Sequence, residues 1–480
     1  MTVKQQKMYI DGQFVTHQGD KWIEVLNPAT EEIISRVPDA GVEDVRNAID
    51  AAERAQDAWE DLPAQERGVW LHKIAAGIRA REQALTDIII AEGGKTRALA
   101  NTEVLFTADY LDYMAEWARR YEGEIVQSDQ RDENIFVFKK AIGLTTGILP
   151  WNLPFFLVAR KAAPALVTGN TIVVKPSQLT PNNAIAFAEI VHEVGLPKGV
   201  FNLVTGRGSV VGNELASNPK VGMVSLTGSV SAGEQTMAAA AKNIIKVSLE
   251  LGGKAPAIVM ADADLTLAVK AIVASRVINT GQVCNCAERV YVQESIKDAF
   301  ISRLTQAFKE VTFGNPAEQD ALDMGPLIDE VSLKGVQEKV DRAVSQGATL
   351  VTGGKRAEGK GFFFQPTLLV DVRHEMDIMH EETFGPVLPV TTFSTLDEAV
   401  NMANDCEFGL TSSIYTTNLN TAMTAIKKPK FGETYINREN FEAMQGFHAG
   451  WRKSGIGGAD GRHGLEEYLQ THVVYLQYQS

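Results

Sequence analysis

From about Phe136 onward, short β-branched runs alternate with helical segments, and this alternation restricts the fold more than any other feature of the chain. Thr171 to Val174 is a compact apolar strand. Asn182 to Val194 reads as a helix closed by Gly195, and Val200 to Val204 as the next strand, followed by a helix through Ala216. Strands at Val221 to Leu226, Ile244 to Leu249 and Ala255 to Met260 enclose a helix from Ser231 to Asn243. The pattern continues with a helix from Leu265 to Asn279, a strand from Arg289 to Val292, and helices from Ile296 to Val311 and Leu333 to Gln346. Strand–helix–strand spacing of this kind predicts parallel βαβ units, whose ligands bind beyond the carboxyl ends of the strands. A chain of 480 residues is too long for one core, so two successive α/β units of roughly 200 residues are the simplest arrangement.

Upstream, Met8 to Phe14 reads as a hairpin turning at Asp11-Gly12. Helices are expected from Val42 to Trp59, from Ala64 to Ala91 with Gly93-Gly94 as a stop, and from Thr102 to Tyr121. Two alternating β-prone stretches, Asn134 to Lys140 and His472 to Gln479, fit neither unit and are expected outside the main cores, paired across a subunit contact.

The net charge of −14 makes nucleic acid a poor partner, because phosphate-backbone binding needs clustered Lys and Arg. Three cysteines make no disulfide framework, and free thiols suit a reducing compartment. No apolar run approaches the roughly 18 residues of a membrane span, and the start lacks a secretory core. The expectation is a cytoplasmic protein.

Several short motifs carry chemistry, each with a plainer alternative. Gly206-Arg-Gly208-Ser-Val-Val-Gly212 follows a strand and opens a helix, but its spacing departs from the dinucleotide fingerprint and also suits a tight turn. Thr227-Gly228-Ser229 places backbone N–H groups and a hydroxyl at a helix start, for a phosphate or merely as a cap. Lys175-Pro-Ser177 ends a strand, where the lysine either meets a ribose or phosphate or is a solvated charge. Glu250, between two leucines and before Gly252-Gly253, is either an edge glutamate facing water or a buried acid whose raised pKa suits base work. Cys284 in Gly281-Gln-Val-Cys284-Asn-Cys286 is a nucleophile or a structural thiol. No second cysteine pair or nearby histidine completes a zinc site, and His374 and His380 lack the spacing of a helical ligand pair, so no catalytic metal is expected.

Together these segments resemble the aldehyde dehydrogenase superfamily. The matching pieces are Pro150-Trp-Asn152, Lys175-Pro-Ser177, Thr227-Gly-Ser229, Leu249-Glu250-Leu-Gly-Gly253, Gly281-Gln-Val-Cys284 and Glu382-Thr-Phe384-Gly-Pro386, in family order across nearly the whole chain. The resemblance implies an α/β fold with a Rossmann-type cofactor domain (1–121 and 142–252), an α/β catalytic domain (253–450) and a small β oligomerisation arm (122–141 and 467–480), in a homodimer or homotetramer. It implies Cys284 as nucleophile, Glu250 as the base that activates water, and Asn152 with the Cys284 backbone N–H as donors to the developing oxyanion. It implies a cofactor held by Leu149, Trp151, Lys175, Ser177, Gln178, Gly208, Gly228, Ser229, Leu251, Glu382 and Phe384. NAD is the expected cofactor. Many NAD-preferring members carry an acid at the position of Gln178, and a neutral amide there repels a 2′-phosphate less, which leaves NADP possible.

The stretch Asn437 to Trp451, Arg160 and the Cys-Asn-Cys run resemble bacterial lactaldehyde/glycolaldehyde dehydrogenases. That resemblance implies a polar pocket of Arg160, Asn285, Glu442 and His448 for a small hydroxyaldehyde. A structural Arg160–Glu442 ion pair and a loop-satisfied His448 are the alternatives. Succinate semialdehyde or betaine aldehyde as substrate, transfer to coenzyme A, and a non-catalytic scaffold are the competing functions.

Overall fold

The computed structural model describes residues 3–17, 19 and 21–479. Met1, Thr2 and Ser480, at the outer limits of the expected domains, lie outside the described residues.

Five parallel strands form the centre of the first sheet, in the order Lys246–Glu250, Met223–Thr227, Leu144–Ile148, Thr171–Lys175, Phe201–Leu203. Successive strands therefore run outward first one way and then the other from Leu144–Ile148. That reversal is a topological switch point, where open α/β sheets leave a crevice for ligands. The N-terminal hairpin, turning at Asp11 (φ 51°) and Gly12 (φ 76°), extends one edge through Leu203 and Tyr9. Gly455–Ile456 returns from the C-terminal part to close the other edge against Leu249 and Glu250.

Apolar side chains cover both faces of this sheet. One core joins Leu71, Ile74, Tyr110 and Leu111 to Phe155, Phe187 and Ile172. The other packs Val45, Ile49 and Ala52 against Val173, Val204 and Val224. The second sheet, ordered Thr349–Thr352, Thr367–Val370, Val387–Phe393, Ala287–Gln293, Ala255–Val259, Thr411–Tyr415, Glu433–Ile436, is likewise sandwiched between two apolar clusters. Its interior strands are parallel, and only Thr349–Thr352 runs antiparallel to its neighbour.

Two expectations need correction. The single helix from Ala64 to Ala91 is two, Ala64–Arg79 and Glu82–Gly93, separated at Arg81 (φ −118°, ψ 17°). No Gly or Pro marks the break. It redirects the chain so that the second helix packs on the Trp22–Asn27 strand and the Asn182–Glu193 helix. There the buried Glu92 accepts from the backbone N–H groups of Asn182 and Asn183, both at 2.8 Å, satisfying otherwise orphaned helix-start donors. Secondly, the two β-prone stretches pair with each other inside one chain. Glu133–Ala141 and Leu469–Gln477 run antiparallel in unbroken register from Ala141↔Leu469 to Glu133↔Gln477, and Glu124–Gln127 adds a third strand.

Candidate active site

The carboxyl ends of the first sheet's strands meet the loops that lead into the strands of the second. Cys284 lies in that seam. A Cβ on Gly253 would fall 2.5 Å from the Cys284 carbonyl oxygen, so the two loops approach as closely as backbone allows.

The cysteine loop is strained and pinned. Asn279 (φ 47°) and Thr280 (φ 60°) adopt the left-handed region, at a cost of about 1–3 kcal/mol each for non-glycine residues. Gln282 Nε2 donates to Asn279 O (2.9 Å), Thr280 Oγ1 to Gly325 O (2.9 Å) and Arg276 to Gly281 O (2.5 Å). Asn152 is buried at the end of the switch-point strand and donates its amide to Gln282 O at 3.1 Å, while its Oδ1 has no hydrogen-bond partner.

The two neighbouring thiols differ sharply. Cys284 is half-buried. Cys286 is fully buried, donates to Val283 O at 2.8 Å, and burial pushes its thiol up to about 12.

Glu250 ends its strand as a buried carboxylate. Burial alone would raise its pKa, as expected from the sequence, but the outcome is the opposite. Lys161 Nζ lies 3.3 Å from Oε1, Arg160 3.7 Å from Oε2, and Thr227 Oγ1 donates at 3.0 Å. These charges, with His448, outweigh desolvation and hold Glu250 at about 2. Lys161 was missed in the sequence. The signal was two adjacent charges, Arg160 and Lys161, in an otherwise apolar helix, Pro154–Val167, which is buried along its whole length.

Arg160, Asn285, Glu442 and His448 are brought together. Asn285 donates to Glu442 Oε2 (2.5 Å) and Arg160 to Glu442 Oε1 (3.5 Å). The main partner of Arg160 is nevertheless Asp460, which takes Nε at 3.0 Å and Nη2 as well. Asp460, 300 residues away, left no sequence signal. His448 is buried, and its Nδ1 pairs with Glu433, which was also missed. Leu153, Phe156, Val283 and Phe441 line the apolar side of the adjoining pocket, with Glu103, Asn285 and Glu442 as its polar members.

The expected cofactor residues lie along the carboxyl ends of the first sheet and the facing loop. A cleft of about 470 Å³ is bounded by Ile148, Gly208, Leu226, Thr236 and Ala239. A Cβ at Gly208 would meet nothing within 4 Å, so this glycine opens onto free space, whereas one at Gly206 (φ 138°) would sit 2.6 Å from Val211. Gly206 thus makes the tight turn. Ser229 caps the Val230–Ala240 helix through Ala232 N (3.2 Å), with Gly228 held by Glu250 O (3.0 Å). Lys175 is buried with one carbonyl partner, Pro176 O, and burial lowers it to about 8. Leu149 is buried, and Ser177 and Gln178 are half-buried beside Lys175. Leu251 is buried under Gly233. Trp151 meets Phe384 edge-on at 5.5 Å. Glu382 accepts from Gly253 N (2.9 Å); burial and the nearby Glu288 raise it to about 7. An apolar slot, a helix N-terminus, a cation and a carboxylate near the ends of these strands are the kinds of group that suit the parts of a nicotinamide dinucleotide.

A doubly wound sheet with this cleft, facing a strained loop that carries a half-buried cysteine, defines the architecture of an aldehyde-oxidising dehydrogenase. The chain belongs to the Aldehyde dehydrogenase family, whose model matches residues 14–474. It is 72% identical over 473 residues to lactaldehyde dehydrogenase of Escherichia coli (strain K12), covering 98% of this chain and 99% of that one. It is 39% identical over 477 residues to a D-glyceraldehyde dehydrogenase (NADP(+)) of Picrophilus torridus, covering 98% and 96%. A crystal structure of lactaldehyde dehydrogenase from Escherichia coli superposes with a TM-score of 0.99 at 71% identity, covering 99% of this chain and 100% of that one. The protein is an aldehyde dehydrogenase, and members of this family use NAD or NADP. Among the described residues no helix is long and apolar enough to cross a membrane.

Proposed function

We propose that the enzyme oxidises a small 2-hydroxyaldehyde, such as L-lactaldehyde or glycolaldehyde, to its carboxylic acid through a thioester on Cys284. The observation that carries this reading is the hydrogen-bonded polar wall of Arg160, Glu442 and Asn285 beside the half-buried cysteine. A pocket that pairs a substrate hydroxyl strongly rejects analogues lacking it, because its own polar groups are then left unsatisfied. Identity to a lactaldehyde dehydrogenase and to a D-glyceraldehyde dehydrogenase, both named for 2-hydroxyaldehydes, supports the same substrate class.

In this reading Cys284 adds to the aldehyde carbon, and the Asn152 amide and the Cys284 backbone N–H donate to the oxygen as it becomes anionic. A bound nicotinamide dinucleotide would supply the hydride acceptor. Lys175, Ser177 and Gln178 would hold its adenosine ribose, Gly208 would face the adenine, and Gly228 and Ser229 the pyrophosphate. Glu382 would hold the second ribose, and Leu149, Trp151, Leu251 and Phe384 would flank the nicotinamide end. Glu250 then takes a proton from water that cleaves the thioester. Its pairing with Lys161 has to loosen for this, since a carboxylate held near 2 is a weak base. NAD is the preferred cofactor, with NADP tolerated through Gln178.

The separate sheets support a division into a cofactor domain (1–121, 142–252), a catalytic domain (253–450) and an oligomerising arm (122–141, 467–480). The arm supports a homodimer or homotetramer, and a working thiol fits the reducing cytoplasm.

The test is steady-state kinetics over a panel of aldehydes with both cofactors. Lactaldehyde and glycolaldehyde should exceed propanal, succinate semialdehyde and betaine aldehyde in kcat/KM. Equal kcat/KM for propanal and lactaldehyde removes the hydroxyl pocket, and acyl-coenzyme A as product removes the hydrolytic step.

A further inference from the structure

His374, His380 and Asp405 form a cluster on the second sheet's side of the molecule, outside the pocket around Cys284. One ligand atom from each lies within 4.8 Å of the others. The two histidines are six residues apart, a separation that brings no pair together on a helix. Here the segment turns through a short 3-10 helix at Asp377–Met379, which folds His380 back over His374 with ring centroids 4.9 Å apart.

The hydrogen bonds sort the ring nitrogens. His380 Nε2 lies 2.8 Å from the His374 carbonyl, to which it donates, leaving Nδ1 with the lone pair. His374 Nε2 faces Asp405 Oδ2 at 3.1 Å, and its Nδ1 is 3.5 Å from the Tyr291 hydroxyl. Ligands roughly 2.0–2.1 Å from a tetrahedral ion stand about 3.3 Å apart. The His374–Asp405 pair already has that spacing. The third ligand atom, on His380, lies within 4.8 Å of the other two, so closing that corner takes a side-chain rotation and no refolding.

We propose that His374, His380 and Asp405 bind a divalent transition-metal ion of the zinc type, tying the loop before Glu382 to the turn at Asp405. Two imidazoles and one carboxylate suit zinc, cobalt or nickel, whereas magnesium and calcium want an oxygen shell that one carboxylate does not supply. On binding, the single ring hydrogen of neutral His374 moves from Nε2 to Nδ1 by exchange with solvent, so that Nε2 ligates and Nδ1–H is directed at Tyr291, the outer-shell partner that fixes ligand orientation. Arg289 is the opposing charge nearby; its guanidinium is committed to Tyr291, Met379 O, Ala403 O and Lys254 O.

The experiment is zinc titration by calorimetry and thermal shift in a Cys284→Ser, Cys406→Ser background, which removes both half-buried thiols as competing ligands. One ion per chain should bind and raise the Tm. Asp405→Asn and His380→Gln should each weaken binding by about tenfold or more. In the Cys284 parent, the same two substitutions should leave metal-free aldehyde turnover unchanged. No saturable zinc binding, or equal binding by both variants and the background, overturns the proposal.

Discussion

His448 Nδ1 lies 2.5 Å from Glu433 Oε1, with both groups under cover. Burial and Arg160 would lower the His448 pKa, but Glu433 and Cys284 raise it well above its usual value. The imidazolium is therefore the form held at this position, stabilised by the Glu433 carboxylate.

Glu433→Gln should remove that bias. At pH 7, iodoacetamide should alkylate Cys284 about tenfold more slowly than in the parent, and kcat/KM should fall with it. The pH dependence has a definite sign. A histidine whose folded pKa is raised contributes stability that is complete below its unfolded value and is lost as pH rises through the folded one. The parent should thus lose this contribution on the alkaline side, and Glu433→Gln should lose less. An unchanged alkylation rate would show that the dyad does not act on Cys284.

The two thiols of the cysteine loop should separate chemically. Limited alkylation followed by peptide mapping should label Cys284 and leave Cys286 untouched, since burial holds the latter protonated at about 12. Cys284→Ala should abolish turnover. Cys286→Ala should retain it and cost about 1 kcal/mol of stability through the lost bond to Val283 O and the small void.

Glu250→Gln should split the reaction in two. Rapid mixing should show a burst of reduced cofactor followed by a slow steady state, because acyl transfer to Cys284 survives while hydrolysis is starved of its base. Loss of the burst together with the steady state would place Glu250 before the thioester. For stability, the depressed pKa means a contribution present above the unfolded value of about 4.3 and lost as pH falls towards 2. Acid unfolding of Glu250→Gln should be correspondingly less steep.

Much of this was legible beforehand because strand and helix periodicity report burial, which is local. Thr171–Lys175 and Asn182–Glu193 lie within a residue or so of expectation. The break at Arg81 was not legible, since it arises from packing on a distant helix and strand and needs no Gly or Pro. The site divides the same way. Cys284, Glu250 and Asn152 stood in recognisable segments. What sets their behaviour is long-range: Lys161 on Glu250, Asp460 on Arg160, Glu433 on His448. The direction of the Glu250 shift was misjudged for that reason, because burial was foreseeable and the two cations were not.

Gln178→Glu should tighten cofactor choice. A carboxylate beside a 2′-phosphate costs on the order of 1–3 kcal/mol at a surface-like dielectric, or about tenfold to a hundredfold in kcat/KM for NADP. NAD kinetics should change little, since ribose hydroxyls can donate to either side chain. Equal losses with both cofactors would mean that residue 178 does not face the 2′ position.

The arm should fail as a monomer surface. Its three strands carry apolar residues on both faces: Val126, Val473 and Tyr475 on one, Ile125, Phe136, Phe138 and Leu476 on the other. Ile125 is 75% exposed and Tyr475 67%. A thin sheet wet on both faces buries too little to be stable alone, and its two outer strands, Glu124–Gln127 and Leu469–Gln477, leave backbone groups unpaired. Cover by another copy of the chain meets both deficits. Replacing Phe138 and Tyr475 together by Ser should therefore lower the mass measured by light scattering and lower the Tm in a concentration-dependent way. A parent that is monomeric at micromolar concentration, or an oligomer indifferent to both substitutions, would remove the arm from assembly.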